Sequence, residues 1–419
     1  MSTRRVAMVR LACLVFAGEA VFSLPFHVPR FFRPALLETA GLTNTTLGDV
    51  FAVYGVTAML AYFPGGALAD RFPARGLLAG SLLATAAGGL YLASFPGAAG
   101  LRWLYGYWGL TTILLFWAAL IRATRDWAGP LAQGRAFGIL DGGRGLAAAV
   151  LASLAVTLLA RAGATSDAPL RHVVLFYTAT TAGAGLLCWW VLPGGTAPGA
   201  GAFPAVARLR EICTGRVIWL QAAIVVTAYC GYKGLDYYAL YVQQALGRTA
   251  TEASAWFAAT AYLRPLAAIA AGFAADRIGA GRLVTAIFLA GAVGYGVLGA
   301  GAGPAGVVTA TLLLTIAAVY ALRGVYFALL QEARVAPALS GTAVGLISVV
   351  GYTPDVFFAP IAGRLLDATP GAAGFAHVFT LLGGLFMLGA TAAWGLRRHV
   401  ARAPVLTPPD RRARGLPPC

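Results

Sequence analysis

The chain has 419 residues, of which 59% are hydrophobic and 11% are charged, and its mean hydropathy is +0.76. These proportions exclude a water-soluble globular domain, because a soluble protein of this length needs more polar residues at its surface. The formal net charge of +16 does not indicate a nucleic-acid-binding protein, because the basic residues lie mostly between hydrophobic runs. The five cysteines follow no metal-binding or disulfide spacing, and we expect neither a metal site nor a cofactor.

Hydrophobic runs of about 20 residues, the length that crosses a bilayer, predict twelve transmembrane helices. The first run continues through Phe22 to Pro25 without a small-residue cleavage site, so we expect an uncleaved helix and not a signal peptide. In chain order the predicted spans are residues 6–28, 47–69, 76–95, 101–121, 135–160, 171–193, 217–244, 252–275, 283–302, 305–330, 341–363 and 375–396.

One long polar connection, at residues 194–216, separates six spans from six. We therefore predict an N-terminal six-helix bundle at residues 1–193, a cytoplasmic linker, a C-terminal six-helix bundle at 217–398 and a disordered cytoplasmic tail at 399–419. With both termini in the cytoplasm, the inner segments hold 19 Arg residues and the outer loops hold seven, among them Arg30 and Arg33. This asymmetry predicts cytoplasmic termini. The bias toward Ala, Gly and Arg is typical of bacteria, and we expect a multi-pass monomer in the cell inner membrane.

A short loop sequence occurs twice in the chain. Gly-x-x-x-Asp-Arg lies at residues 66–71, between spans 2 and 3, and again at residues 272–277, between spans 8 and 9. The acids of the two copies, Asp70 and Asp276, are 206 residues apart. A second repeat opens spans 5 and 11, where Gly134 and Gly341 are 207 residues apart. Two agreeing offsets across a six-plus-six division predict a duplicated fold.

These loop motifs resemble the cytoplasmic signature of the major facilitator superfamily, although Pro73 stands where that family usually has Gly. The resemblance implies an all-α membrane protein with twelve transmembrane helices in two pseudo-symmetric six-helix bundles, which transports by alternating access. Segments such as GRAFGILDGGRG and GYTPD are similar to a bacterial branch loosely akin to organophosphate and organic-anion carriers.

The resemblance also implies a role for the repeated loops in gating. Asp70 and Asp276 would contact the starts of spans 11 and 5, where the positive end of a helix attracts a carboxylate, and hold the cytoplasmic side closed when the protein opens outward. Alternatively, the Asp-Arg pairs only cap helices and set topology. The residues assigned to this gating motif are Gly66, Asp70, Arg71, Arg75, Arg135, Gly272, Asp276, Arg277 and Arg282.

Eight charged residues fall within the predicted spans. Each is costly when exposed to lipid, so we expect them to face a cavity or a partner. None lies on spans 3, 6, 9 or 12, which the resemblance places at the lipid-facing periphery, and this favours a polar cavity between the other helices. Two tyrosines of span 7 join them, whereas the outer aromatic belt is expected to hold Tyr238 and Tyr241. The candidates for the substrate cavity are Glu19, Asp141, Arg144, Tyr229, Tyr232, Lys233, Asp236, Arg264, Arg323 and Asp355.

Glu19 is the candidate for proton coupling. It lies near the middle of span 1 without a basic residue within one turn, and burial favours the neutral form of a carboxyl group. The alternative is a static pair with a basic residue on another span. Arg264 precedes Pro265, where span 8 should bend, and its guanidinium suits a bidentate contact with an anionic group. Its alternative is a pair with Glu19 or Asp355.

Two acid–base pairs have an ambiguous role. Asp141 and Arg144 are three residues apart on one helix, as are Lys233 and Asp236, so each pair could simply neutralise itself. Arg323 falls nearer the cytoplasmic end of its span and is interpreted as a gate residue.

The function predicted from these observations is secondary active transport of a small anionic or zwitterionic organic solute, with protons as the candidate coupling ion and no nucleic-acid partner. Two other classes stay open. A polytopic membrane enzyme would usually need a cluster of His, Asp or Glu at one membrane face, and none is visible in the sequence. A transporter-like sensor would bind solute without flux.

Overall fold

A computed structural model describes residues 3–128, 133–163, 168–194, 215–301, 303–332 and 345–402. These residues form helices and their connections, and no strand occurs among them. Most of the predicted linker, the beginning of span 11 as predicted and the chain from residue 403 lie outside the described residues.

The first half of the chain consists of six long helices. The second of them begins at its N-cap Thr43, whose side chain accepts a hydrogen bond from the Thr46 N–H. A short helix, Arg33–Ala40, precedes it. The six are α1 (residues 3–31), α2 (Asn44–Arg71), α3 (Ala74–Leu92), α4 (residues 98–128), α5 (Gln133–Gly163) and α6 (Pro169–Val191).

The second half repeats this arrangement. Its second helix begins with a capping box formed by Thr249 and Glu252. Its last helix continues to Arg402, so the predicted tail would begin four residues later than residue 399. The six helices are α7 (residues 216–244), α8 (Ala250–Ile278), α9 (Ala280–Gly299), α10 (residues 305–332), α11 (Gly345–Ala368) and α12 (Ala372–Arg402).

The helices have the length and composition of membrane spans. Within the described ranges nine are long and apolar enough to cross a bilayer, and α2, which bends by 52° between Tyr62 and Pro64, would be a tenth. The bend follows from Pro64, which lacks the N–H of a regular helix. The other two, α3 and α7, pack against α6 and α12 in the same bundle. The twelve-helix architecture predicted from the sequence is therefore confirmed.

The two copies of the repeated loop turn differently. Between α8 and α9 the chain passes through Gly279 at a φ of 88°, which residues with a side chain rarely adopt. Between α2 and α3 the corresponding Pro73 has a φ of −58° and follows an extended Phe72. The first loop therefore needs no glycine, which explains how it tolerates Pro73.

Several helices are irregular beside the centre of the bundle. A π-helical turn, Ser23–His27, interrupts α1, and a longer one, Leu110–Trp117, interrupts α4. A 3₁₀ turn at Leu235–Tyr237 interrupts α7. In α8 the helix breaks between Thr260 and Leu263, just before Pro265. Such turns change which side chains face the interior, and π-turns are frequent at functional sites.

The two halves contact each other through α2 and α11. Here a Cβ added to Gly55 would lie 2.6 Å from the backbone carbon of Asp355, so only glycine permits this approach. Farther along, the Asp367 carboxylate accepts hydrogen bonds from the backbone N–H groups of Asn44 and Thr45, at 3.2 and 2.7 Å. These contacts lie toward the end of the bundle that is remote from the chain termini. We call this end the far side, and the opposite end the termini side.

Among the described residues, the bundle is open on the termini side. A Cβ on Gly66 or Gly272 would meet no described atom within 4 Å, and the side chains of Asp70 and Asp276 are exposed. Among the residues that the structure describes, neither acid has an ion-pair partner. The described residues therefore join the two halves on the far side and show no contact between the repeated loops and the opposite half on the termini side.

Candidate functional site

A cavity lies between the two halves near the middle of the bundle. It contains about 840 Å³ of space free of protein atoms and is walled by α1, α2, α4, α5, α7, α10 and α11. None of its described lining residues comes from α3, α6, α9 or α12, the four helices that the resemblance places at the lipid-facing periphery. Most of the predicted cavity residues line it or form ion pairs with residues that do.

Glu19 is the centre of a first ion-pair cluster. Its Oε1 lies 3.0 Å from His27 Nε2 and 3.6 Å from an Arg264 guanidinium nitrogen, and its Oε2 lies 3.2 Å from Arg144 Nε. The carboxylate is 4% exposed. The pair with Arg264 joins the two halves. This is the geometry expected if Glu19 is a static partner of a basic residue on another span, which the sequence analysis gave as the alternative to proton coupling.

The π-helical turn in α1 explains why His27 reaches Glu19. In a regular α-helix the residue seven positions on returns to the same face, but a π-turn inserts one extra residue. The eighth residue after Glu19 is therefore the one that faces it. The sequence analysis missed His27, because a π-turn has no clear signal in a hydropathy pattern.

Arg264 is bound by two carboxylates of the first half. Besides its contact with Glu19, its other terminal nitrogen lies 3.1 Å from Asp141 Oδ1. Arg144 binds Glu19, so Asp141 and Arg144 each bind a residue on another helix, and the self-neutralised pair considered above is not observed. The break in α8 before Pro265 positions Arg264 for these contacts.

A second cluster forms around Asp236. One carboxylate oxygen accepts a hydrogen bond from Arg30 Nε, and the other lies 3.3 Å from Lys233 Nζ. Lys233, only 1% exposed, also lies 3.3 Å from Asp355 Oδ1, and the Tyr229 hydroxyl donates to Asp355 at 3.0 Å. The local pair of Lys233 and Asp236 exists, but it belongs to a network that spans three helices.

Arg30 and Arg33 correct the prediction that they lie in an outer loop. Both are buried, Arg30 in the last turn of α1 and Arg33 at the start of the short helix that follows. Arg30 also donates to the Tyr232 hydroxyl at 2.6 Å, and Arg33 lies 4.1 Å from the ring centroid of Tyr237. The predicted end of span 1 was too early, because a hydropathy scale treats every Arg as a loop residue.

Arg323 has no carboxylate partner in the part of the chain that the structure describes. It lines the cavity, and its guanidinium carbon lies 4.0 Å from the ring centroid of Tyr232. Its Nε and one terminal nitrogen are buried and donate no hydrogen bond. The site thus places five cations against four carboxylates, which leaves one positive charge unbalanced. The cations are Arg30, Arg144, Lys233, Arg264 and Arg323, and the carboxylates are Glu19, Asp141, Asp236 and Asp355.

The tyrosines of α7 divide between the cavity and the bundle interior. Tyr229 and Tyr232 line the cavity. Tyr238 is fully buried, where its hydroxyl lies 2.7 Å from that of Thr315, and Tyr241 packs against aromatic rings of α12. The expectation that these last two belong to an outer aromatic belt is wrong, because they point into the second half and not toward lipid.

The gating-motif residues lie at the surface of the termini side. Arg71, Arg277 and Arg282 are exposed, like the acids of the motif, and Arg75 is partly covered by the Trp189 ring, 4.4 Å away. The side chain of Arg135 and residues 333–344 lie outside the described residues. The gating role stays a prediction. Within the described ranges, no group of three or more His, Cys, Asp or Glu could hold a metal ion.

Comparison with known proteins places this arrangement among transporters. Residues 13–358 match the family model described as Major Facilitator Superfamily. Two inner membrane proteins of Escherichia coli (strain K12) are similar over most of the chain. YqcE is 25% identical over 395 residues, which cover 91% of this chain and 92% of YqcE. YihN is 25% identical over 401 residues, which cover 93% of this chain and 95% of YihN.

Two solved structures share the fold. A bacterial homolog of the human lysosomal transporter Spinster, in an inward-facing and unoccupied conformation, superposes with a TM-score of 0.73 at 13% identity, over 95% of this chain and 98% of that one. The nucleoside transporter NupG superposes with a TM-score of 0.71 at 12% identity, over 95% of this chain and all of that one. Both likenesses extend across the two halves of the bundle.

Proposed function

Because the chain belongs to the major facilitator superfamily, whose members are transporters and not enzymes, we propose that it carries a small organic anion across the cell inner membrane. The observation that carries this proposal is the unpaired guanidinium of Arg323 in the cavity between the halves. An uncompensated cation in a buried site is costly, and an anionic solute would supply the missing partner.

The remaining basic residues of the cavity are less available to a solute. Arg264, the anion-binding candidate from the sequence, is already bound by two carboxylates, and Arg30 and Lys233 share Asp236. Arg323 is therefore the better candidate, in place of the gate role expected for it. Guanidinium binds carboxylates, phosphates and sulfonates in bidentate geometry, and each is an anion that this site could take.

Aromatic side chains around Arg323 favour an organic solute over a bare inorganic anion. Tyr229, Tyr232 and Tyr352 line the cavity on the side of the second half, and Trp117 and Phe22 line it on the other. Such rings provide apolar area for a carbon skeleton, and the tyrosine hydroxyls add hydrogen bonds.

Alternating access follows from the placement of the cavity between two pseudo-symmetric halves. With both termini in the cytoplasm, as the Arg distribution favours, the termini side is cytoplasmic and the conformation described above is inward-facing. In the outward-facing state the loops at Asp70 and Asp276 would close this side, and the seam between α2 and α11 would open. Glu19 is the proposed site of proton coupling.

Solute binding and transport by purified protein test the proposal. We would find a ligand by a thermal-shift screen of organic carboxylates, phosphates and sulfonates, each beside its uncharged analogue, and measure its uptake into proteoliposomes. Arg323→Gln should raise the Kd for that ligand about tenfold or more, since a hydrogen bond to a charged group contributes about 1.5–3 kcal/mol. The melting temperature should stay close to wild type, because no ion pair is lost.

Arg102→Gln is the matched control, since Arg102 is exposed and lies outside the cavity. Equal binding of the charged ligand and its neutral analogue, or an unchanged Kd in Arg323→Gln, would contradict the anion assignment. If the protein binds the ligand but proteoliposomes take up none of it under any imposed gradient, the result would favour a transporter-like sensor that binds solute without flux.

A further inference from the structure

We propose a second anion site, separate from the transport cavity, that binds the phosphate group of a phospholipid at the termini side of the first half. A pocket there is walled by α1, α3, α4 and the end of α6. Three arginines from three different helices line it: Arg10, Arg75 and Arg122. The pocket shares no lining residue with the transport cavity.

The three guanidinium groups are held in place but lack acceptors. Arg122 is oriented by a hydrogen bond of 2.8 Å to the Phe72 carbonyl, and Arg75 by the ring of Trp189. Nonetheless the Nε atoms of all three arginines, and a terminal nitrogen of Arg122, are buried without a hydrogen-bond partner. In the described part of the chain none of the three forms an ion pair. Buried donors of this kind are normally satisfied, so the pocket is built for an acceptor that the protein itself does not provide.

The acid that lines the pocket does not neutralise it. Asp126 is exposed and, among the described residues, makes no hydrogen bond or ion pair. The start of α3 adds to the positive potential, because it follows Pro73 and has no side-chain cap. Three guanidinium groups and a free helix N-terminus facing one carboxylate give a site with a net positive charge, which is suited to phosphate.

The second half contains the corresponding pocket with a smaller excess of positive charge, because two arginines, Arg282 and Arg397, line it beside one acid. Arg282 corresponds to Arg75, 207 residues earlier, and Glu332 corresponds to Asp126, 206 residues earlier. Glu332 Oε2 accepts a hydrogen bond of 2.7 Å from the Gly281 N–H and so caps the start of α9. With the same offset of 206, the residue at the position of Arg122 in the second half is Ala328. In the second pocket the acid thus caps the helix, and among the described residues neither arginine has a buried nitrogen without a partner. This difference between the halves argues for a ligand in the first.

A phospholipid is the source of phosphate that this position favours. Leu14, Leu192 and Trp127 give the pocket an apolar wall, and Trp190 on α6 is 80% exposed. Tryptophan is enriched where a membrane protein meets the headgroup layer, and basic pockets between helices bind headgroup phosphates. The uncompensated charge favours a net anionic headgroup over a zwitterionic one.

Lipid titration of the full chain in detergent tests the site. We would measure binding of dioleoylphosphatidylglycerol by native mass spectrometry and by the shift in melting temperature, beside dioleoylphosphatidylethanolamine and inorganic phosphate. Arg122→Gln should weaken binding of the phosphatidylglycerol about tenfold, the value of one charge-assisted hydrogen bond. Arg397→Gln, in the corresponding pocket of the second half, should leave the affinity unchanged.

The other outcomes are also decisive. Equal phosphatidylglycerol binding by wild type and Arg122→Gln would overturn the site. If inorganic phosphate protects the wild type as well as the lipid does, and Arg122→Gln abolishes that protection, the site is a phosphate site but its ligand is soluble. Equal affinity for phosphatidylethanolamine would overturn the preference for a net anionic headgroup. Should Arg122→Gln fail to fold, Arg10→Gln gives the same measurement, because Arg10 Nε is buried without a partner and Arg10 forms no hydrogen bond with the described residues.

Discussion

Glu19 illustrates how one carboxylate can connect solute access with the contact between the halves. Of its three partners, His27 and Arg144 belong to its own half, and Arg264 belongs to the other. A proton on Glu19 would remove one of the two negative charges that hold Arg264, and the link between α1 and α8 would weaken. If Glu19 binds the coupling proton, as proposed above, protonation would therefore weaken one of the contacts between the halves.

The variant Glu19→Gln tests this role. It keeps the shape of the side chain and removes its charge, so we expect it to abolish solute accumulation driven by a pH gradient and to leave counterflow exchange active. Accumulation and counterflow would be measured in the same proteoliposomes. The matched control is Glu38→Gln, an exposed Glu on the short helix after α1.

Normal accumulation in Glu19→Gln would refute proton coupling through this residue. Loss of both accumulation and counterflow, together with a large fall in melting temperature, would instead show that Glu19 serves as the static partner of Arg144 and Arg264. Removal of one member of a buried ion pair typically costs about 3–5 kcal/mol, which a thermal shift detects easily.

The cavity residues could be found from the sequence only in part. The charges within the apolar runs were visible because lipid makes them costly, and this indicated Glu19, Lys233 and Arg264. The pairs of Arg264 with Glu19 and of Lys233 with Asp236 were among the alternatives considered. The pair of Arg30 with Asp236 was missed, because the two residues are 206 positions apart and Arg30 lies past the predicted end of its span. One signal was available, because this separation equals the offset of the repeated loops.

Helix α2 carries two glycines with opposite surroundings. Near the middle of the helix Gly55 lies against the backbone of α11, and on the termini side Gly66 has open space around it. If the gating motif closes the termini side in the outward-facing state, Gly66 should be crowded only there. The two glycines of one helix would then report on the two states of the transporter.

Substitution of each glycine by alanine should shift the equilibrium in opposite directions. Gly55→Ala places a Cβ within 3 Å of backbone in the present conformation and should favour the outward-facing state, whereas Gly66→Ala should favour the inward-facing one. Spin labels at Phe72→Cys and Ile278→Cys, in a background without the native cysteines, would measure the distance between the loops on the termini side. We expect shorter distances in Gly55→Ala and longer ones in Gly66→Ala.

An unchanged distance distribution in Gly66→Ala would remove the support for close packing at the repeated loop. Gly80→Ala serves as the control, because a Cβ there meets no atom within 4 Å and lies outside both the seam and the motif. Its distances should match those of the parent.

At the level of elements, the sequence predicted what depends on length and composition. Apolar runs identified all twelve helices, and Gly or Pro marked the turns between α2 and α3 and between α8 and α9. The π-turns of α1 and α4 and the 3₁₀ turn of α7 could not be predicted, because tertiary packing decides them and hydropathy does not change there.

Across the whole molecule, the two halves exchange arginines. The first half contributes Arg30 to Asp236 of the second, and the second contributes Arg264 to Glu19 and Asp141 of the first. Arg30, Asp236, Arg264 and Glu19 are buried, and breaking a buried pair is costly, whereas the side chain of Asp141 is 47% exposed. The two exchanges should therefore stabilise the association of the halves in the present conformation.

A double-mutant cycle on Arg30→Gln and Asp236→Asn measures this contribution. Each single variant leaves a buried charge short of a partner and should lower the melting temperature. The free energy of unfolding should fall clearly less in the double variant than the sum of its falls in the two single variants. We expect a coupling free energy between Arg30 and Asp236 of about 1 kcal/mol or more. The control cycle uses Arg364→Gln and Asp49→Asn, an exposed pair that also joins the halves at 2.9 Å, where we expect a coupling near zero. If the losses of stability in Arg30→Gln and Asp236→Asn simply add up in the double variant, the ion pair between these residues makes no direct contribution to the association of the halves.

The contact between Arg30 and Asp236 has a consequence for how such a protein could arise. The two residues occupy the same place in the two repeats, so their contact lies close to the axis that relates the halves. In a homodimer of identical half-length chains, whatever residue stood there would meet its own copy, and a charged one would be repelled. Opposite charges at this point therefore require that the two repeats can mutate independently of each other. Fusion into a single chain therefore permitted a bond that no symmetric ancestor could have made.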